Sequence, residues 1–133
     1  MITADQLIAH AIGDYILQSH WMAQEKTKRW LPCLLHVFFY SIPFGIWFAA
    51  SLPALLVILG SHYLIDRYRL ARHVILFKNL LFCPNDAADK LGKEYNPDTG
   101  FPADTPPWLA FWLLIVVDNF LHVVINGVAL KYL

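Results

Sequence analysis

Residues 30–65 read WLPCLLHVFFYSIPFGIWFAASLPALLVILGSHYLI and contain no Asp, Glu, Lys or Arg. A bilayer crossing takes about 20 apolar residues, so this run is too long for one span and about right for two. The natural break is Ala50-Ser51-Leu52-Pro53. Pro53 suits the first turn of a new helix, where a missing N–H costs nothing. The run therefore predicts two membrane helices, over residues 31–49 and 53–68.

The rest of the chain fits the same solvent. An apolar stretch over residues 107–130 opens at Pro106-Pro107, carries Trp108 and Trp112 where an interfacial aromatic belt belongs, and closes at Lys131-Tyr132. Asp118 is its only charge. Residues 2–23 are more polar, with His10, Asp14, His20 and two glutamines. Leu7, Ile8, Ala11, Ile12, Tyr15 and Ile16 still place apolar side chains around one polar stripe of a helix. This segment is expected to span as well.

Composition agrees. The 133 residues are 58% apolar and 15% charged, with a mean hydropathy of +0.48, against about 25% charged residues in a soluble domain. These values exclude an ordinary soluble enzyme and a disordered chain. A net charge of zero leaves no basic surplus for nucleic acid. Cys33 and Cys83 are too few for a disulfide framework and are expected to be reduced. No basic stretch precedes the first apolar run, as a signal peptide requires; the first base is Lys26.

The bases orient the spans. Lys26, Lys28 and Arg29 lie in the first loop, and Arg67, Arg69, Arg72, Lys78, Lys90 and Lys93 follow the third span, while the turn at Ala50 is uncharged. The positive-inside rule then puts both termini outside the cytoplasm, in a multi-pass protein of the cytoplasmic membrane. Residues 66–82 repeat Leu70, Val74, Phe77 and Leu81 at helical spacing against Arg69, Arg72 and Lys78, the pattern of a helix lying along the interface. Residues 83–106, rich in Pro and Asn-Asp turns, read as cytoplasmic loop with one helical turn near residues 87–91. The expected fold is all-α: one integral membrane bundle of four transmembrane helices with an interfacial helix and a cytoplasmic loop.

What interrupts the apolar runs carries the chemistry. The first segment holds His10-x-x-x-Asp14, the third His62-x-x-x-Asp66 and the last Asp118-x-x-x-His122; the second holds His36. Spacing of i and i+4 puts both side chains on one helix face, about 6 Å apart at Cβ. On the insertion scale Asp14 and Asp118 together oppose insertion by roughly 5 to 7 kcal/mol, so something must compensate. A divalent cation would, since structural zinc contributes about 10 to 16 kcal/mol. Imidazole and carboxylate suit zinc, manganese or iron. A proton relay and structural polar packing use the same residues. Asp66, beside Arg67, also reads as an interfacial acid paired to it. Seven candidates exceed the four ligands of one zinc, so either two metals share the site or some residues orient others. Cys33, three residues before His36, reads as a buried apolar residue. His20 and His73 are expected outside the site. No Gly-x-Ser-x-Gly or phosphate-binding Gly loop competes.

The segments His10-Ala-Ile-Gly-Asp14-Tyr-Ile-Leu-Gln18-Ser-His-Trp-Met22-Ala and Gly60-Ser-His62-Tyr-Leu-Ile-Asp66 resemble a family of small polytopic proteins of unknown function found in bacteria and their phages. The resemblance covers nearly the whole chain. Gly60-x-His62-x-x-x-Asp66 is also similar to a motif of predicted membrane-bound metal-dependent hydrolases and, more distantly, of zinc-dependent phospholipases C. That likeness implies that His62 and Asp66 are metal ligands.

The expectation is a metal-dependent hydrolase acting on a membrane lipid or lipid-linked substrate. Its divalent metal, zinc first with manganese or iron compatible, is held by His10, His36, His62, Asp66 and His122. Asp14 and Asp118 are ligands or water-activating bases, and Arg67 and Arg69 hold a phosphate headgroup or serve topology alone. The alternatives are a transporter or proton-conducting protein using the same His/Asp cluster, and a non-catalytic phage or bacterial envelope protein. The oligomeric state is not legible.

Overall fold

The structure is a computed structural model that describes residues 2–82 and 95–133. Among the described residues the chain is all-helical: α1 (Ala4–Ala11) runs into a π-helical turn (Ile12–Ile16), followed by α2 (His20–Glu25), α3 (Trp30–Trp47), α4 (Leu52–Tyr68), α5 (Leu70–Phe82) and α6 (Pro107–Tyr132). It divides into two compact units, Met1–Tyr68 with Phe120–Leu133, and Arg69–Asn119.

In the first unit local chemistry sets the element ends. Thr3 and Gln6 form a capping box that starts α1. The π turn is real in its bonding, with the Leu17 amide donating to the Ile12 carbonyl at 2.9 Å, five residues back. The Ser19 hydroxyl caps α2 by accepting from the Met22 amide. Ser51 caps α4, accepting from Ala54 and donating to the Leu133 carbonyl at 2.8 Å. The break between α3 and α4 falls where the sequence places it.

The residues 2–23 are not one helix. The continuous helical run ends at Ile16, before Leu17–Ser19 breaks it. Even so, the segment traverses the unit. Thr3 and Gln6 line a pocket with Ala49, Ala50, Ser51, Leu130 and Leu133, so both termini share one end with the α3–α4 turn. Arg67, at the C-terminus of α4, donates to the carbonyls of Thr27 and Lys28 at the other end.

Each long helix buries one stripe. On α3 it is Cys33, His36, Val37, Tyr40 and Phe44; on α4 it is Ala54, Ile58, His62, Ile65 and Asp66. Ala9, Tyr40, Phe44, Ala54, Ile58 and Ala129 form the apolar core. The donors of the expected site continue these stripes, so the packing that builds the core also aims them inward. Gly13 lets the π turn lie on α3: a Cβ there would fall 2.5 Å from Tyr40 Cδ2. Close backbone approach at small residues is the usual packing device where lipid removes any hydrophobic drive between helices.

The second unit packs Ile75 of α5, Phe101 and Ala110 of α6 together, with Leu114 and Val117 against them. Arg69, at φ 52°, separates α4 from α5, so the helix expected to begin at Asp66 begins at Leu70 and Asp66 belongs to α4. Residues 95–106 form a turn closed by an isolated bridge between Tyr95 and Pro102. Gly100, at φ 76°, is required there, because a Cβ would strike the Arg72 carbonyl. The helical turn expected near residues 87–91 and Cys83 lie outside the described residues.

Among the described residues two helices, α3 and α6, are long and apolar enough to cross a membrane. Their outward faces are large and apolar: Phe38, Ile46 and Trp47 on α3, and Trp108, Phe111, Trp112, Val116 and Phe120 on α6 are all exposed. Such a surface marks a protein that meets lipid or a partner.

Candidate metal centre

Four elements of the first unit meet at one point. The π turn supplies Asp14, α3 supplies His36 one to two turns from its N-terminus, α4 supplies His62 and Asp66 in its last two turns, and α6 supplies His122. All five are buried. His36 and His62 bring their Nε2 atoms within 2.9 Å of each other. Asp14 Oδ1 lies 3.2 Å from His36 Nε2 and 3.3 Å from His62 Nε2. Asp66 Oδ2 lies 3.1 Å from each of the same nitrogens.

These separations test the fit of a cation. Zinc binds nitrogen and oxygen at about 2.0 to 2.1 Å in a tetrahedron, whose edges are then about 3.3 to 3.4 Å. The five separations that link Asp14, His36, His62 and Asp66 are 2.9 to 3.3 Å, and the donor atoms of Asp14, His36 and His62 all lie within 4.8 Å of one another. Imidazole nitrogens and carboxylate oxygens facing one another in a buried pocket are mostly acceptors. They gain little from each other and much from a shared cation. Asp14 Oδ1 is buried without a hydrogen bond, which fits a ligand atom. The Nδ1 atoms of His36 and His62 are likewise buried without a hydrogen-bond partner among the described residues.

Each carboxylate divides its oxygens. Asp14 turns Oδ1 to the centre and Oδ2 to His10 Nε2 at 3.4 Å. Asp66 turns Oδ2 to the centre and Oδ1 to His122 Nε2 at 3.6 Å. His122 also stacks on His62, with ring centroids 3.9 Å apart. His62, Asp66 and His122 thus form a second group of donor atoms, which shares His62 with the group of Asp14, His36 and His62.

His10 is held from behind. Asn126 donates to the Tyr40 hydroxyl at 2.6 Å, and that hydroxyl lies 2.7 Å from His10 Nδ1. His10 thus turns Nδ1 to the Tyr40 hydroxyl and Nε2 to Asp14. The chain Asn126, Tyr40, His10, Asp14 fixes the carboxylate that the centre uses, and it makes His10 an orienting residue. The Tyr40 ring also lies against His62 at 3.7 Å between centroids.

The remaining expected site residues lie elsewhere. Asp118 is half-buried and belongs to neither group of donor atoms. Asp66, which also reads from the sequence as an interfacial acid paired to Arg67, is buried against His36 and His62. Arg67 is engaged by backbone carbonyls of Thr27 and Lys28, and Arg69 by Asp98, 2.7 Å to Oδ1 and 2.9 Å to the carbonyl. His20 and His73 are exposed, and neither belongs to a group of donor atoms.

Four residues of the site escaped the sequence reading: Lys26, whose ammonium lies 2.8 Å from Asp66 Oδ2, Tyr40, Asn126 and Gly13. Tyr40 follows His36 by four, and Asn126 follows His122 by four. The same-face spacing that selected the His/Asp pairs also selects them.

Residues 2–90 match a family described as a protein of unknown function, DUF3307. The chain belongs to that family. The matched region carries His10, Asp14, Lys26, His36, Tyr40, His62 and Asp66 and ends before α6, which holds His122 and Asn126. No curated protein and no solved structure matches the chain.

Proposed function

We propose that this protein is a membrane-embedded, metal-dependent hydrolase of a lipid or lipid-linked phosphoester. In this reading Asp14, His36, His62 and Asp66 hold one divalent cation, zinc first. The observation that carries it is the set of five donor separations of 2.9 to 3.3 Å among four buried side chains from three elements. A cation bound there would supply a water with a pKa near 7 and polarise a phosphoryl oxygen. The chain's own groups do the rest. His10, held by Tyr40 and Asn126, keeps Asp14 turned inward. His122 faces the outer oxygen of Asp66 at 3.6 Å and, with His62 and Asp66, offers a second group of donor atoms. The buried core on the side of Phe44 and Ile58 excludes water.

The reading includes a bilayer setting. Four segments cross or enter it, the first as the broken run α1, π turn and α2. The end bearing Lys26, Lys28, Arg29 and Arg67 faces the bacterial cytoplasm. The centre then lies in the cytoplasmic half, His36 and His62 each being about 9 Å along the helix axis from that end. A lipid headgroup in that leaflet is within reach, whereas a soluble substrate would have to enter an apolar bundle.

The test is metal analysis of the chain purified without chelator, followed by phosphodiester hydrolysis on a lipid analogue in mixed micelles. We expect about one zinc or manganese per chain, activity lost on stripping and restored on resupply, and neither in H62A or D66N. A parent protein that holds no metal after resupply refutes the proposal and leaves the His/Asp cluster as a proton relay.

A further inference from the structure

Lys26 has so far only a topological role and a place beside Asp66. It follows α2 in a loop where a base serves topology, yet its ammonium lies 2.8 Å from Asp66 Oδ2 and 3.4 Å from His36 Nε2. Both are donor atoms of the cluster described above. The side chain is 18% exposed, against 0% for His36 and 4% for Asp66. Its stem therefore starts at the margin of the unit and its charged tip reaches the buried donors.

We infer that Lys26 is a working part of the centre: its ammonium balances the donors in the metal-free protein, withdraws when a divalent cation enters, and then holds an anionic oxygen of the ligand beside that cation. The inference rests on the metal reading of the site. Two acceptors that contact the ammonium are two of the four ligand atoms, and a lone pair directed at an ammonium proton is not available to a metal. A flexible four-carbon stem lets the charge move a few ångströms without moving the backbone.

Charge then decides what the loaded centre attracts. Asp14 and Asp66 against Lys26 leave one net negative charge, with the imidazoles neutral. A divalent cation turns that into one net positive charge. Without Lys26 the loaded centre is neutral. In a pocket of low polarity, that one charge determines whether an anion enters. Arg67 and Arg69, already engaged by the chain, do not supply it. Lys26 is thus the group that makes the site select a phosphate oxyanion over a neutral ester.

The experiment uses the full chain in lipid nanodiscs, as wild type, K26M, K26Q and K26R. Zinc affinity is measured by competition with a chromophoric chelator, and inorganic phosphate binding by calorimetry on zinc-loaded protein. Removing the competing ammonium should tighten zinc binding about tenfold in K26M and K26Q. The same variants should bind phosphate at least about fivefold more weakly. K26R should stay near wild type in both, and no variant should bind phosphate without zinc. Zinc affinity unchanged or weakened in both neutral variants overturns the inference, as does undiminished phosphate binding. Zinc bound equally by all four chains defeats this inference alone; no zinc in any of them defeats the metal reading as well.

Discussion

Replacing Gly13 with alanine probes the packing on which the centre depends. The added Cβ would lie 2.5 Å from Tyr40 Cδ2 and 3.1 Å from both its Cα and Cε2, where carbon atoms pack at about 3.5 to 4.0 Å. The ring has no room to yield. Tyr40 is fully buried, lies against His62 with centroids 3.7 Å apart, and is tied by its hydroxyl to His10 and Asn126. The Cα belongs to α3 and cannot move alone. Overpacking of this kind costs about 1 to 3 kcal/mol. Relief comes from pushing the π turn off α3, which carries Asp14, the next residue, away from His36 and His62. G13A should therefore lose thermal stability by that amount and bind zinc at least about tenfold more weakly. In a Y40A background the offending ring atoms are gone, and the cost of G13A should fall below half, a coupling that a double-mutant cycle reads directly. Equal cost in both backgrounds, or a G13A protein with native stability and metal affinity, would refute the packing argument.

Three further outcomes follow from the same geometry. Y40F and N126L keep the packing but break the hydrogen-bond chain behind His10, and should weaken metal binding about 10- to 100-fold, the usual effect of losing an orienting partner; unchanged affinity in both would remove His10 from its orienting role. H73A and D118N, whose side chains lie outside both donor groups, should retain the metal that H62A loses, as measured by metal content after identical purification. Because imidazole must be neutral to ligate, zinc affinity should fall as pH drops from 8 to 5.5 in the wild type. The fall should be shallower in H36A, which has one fewer histidine to deprotonate, and a flat wild-type profile would speak against histidine ligands.

The sequence alone determined the helical class and named most of the side chains that meet in the first unit. A run of 36 residues without a charge fits helices that satisfy their own backbone, and Ser51-Leu52-Pro53 carries a helix cap and a first turn in its own residue types. The pairs His10/Asp14 and His62/Asp66 were legible because i and i+4 share a helix face in any fold. What pairs on separate helices do together was not legible, since no local rule relates the depth of His36 to that of His62 or Asp14. That convergence comes from tertiary packing: the stripes of α3 and α4 bury the same core, and each carries its donors about equally far from one end of the unit. The division of roles came from the same source. His10 and Asp14 look like equal partners in sequence, and only the hydroxyl of Tyr40, arriving from α3, turns one into the support of the other. Asp66 appeared to belong to Arg67, its neighbour in the chain, but adjacent residues on a helix point apart, and Arg67 turns to the carbonyls of Thr27 and Lys28. Lys26 was the least legible of all. A base in a loop beside a membrane span is by default a topological charge, and only the fold, by placing the loop after α2 over the end of α4, brings its ammonium to a carboxylate forty residues away.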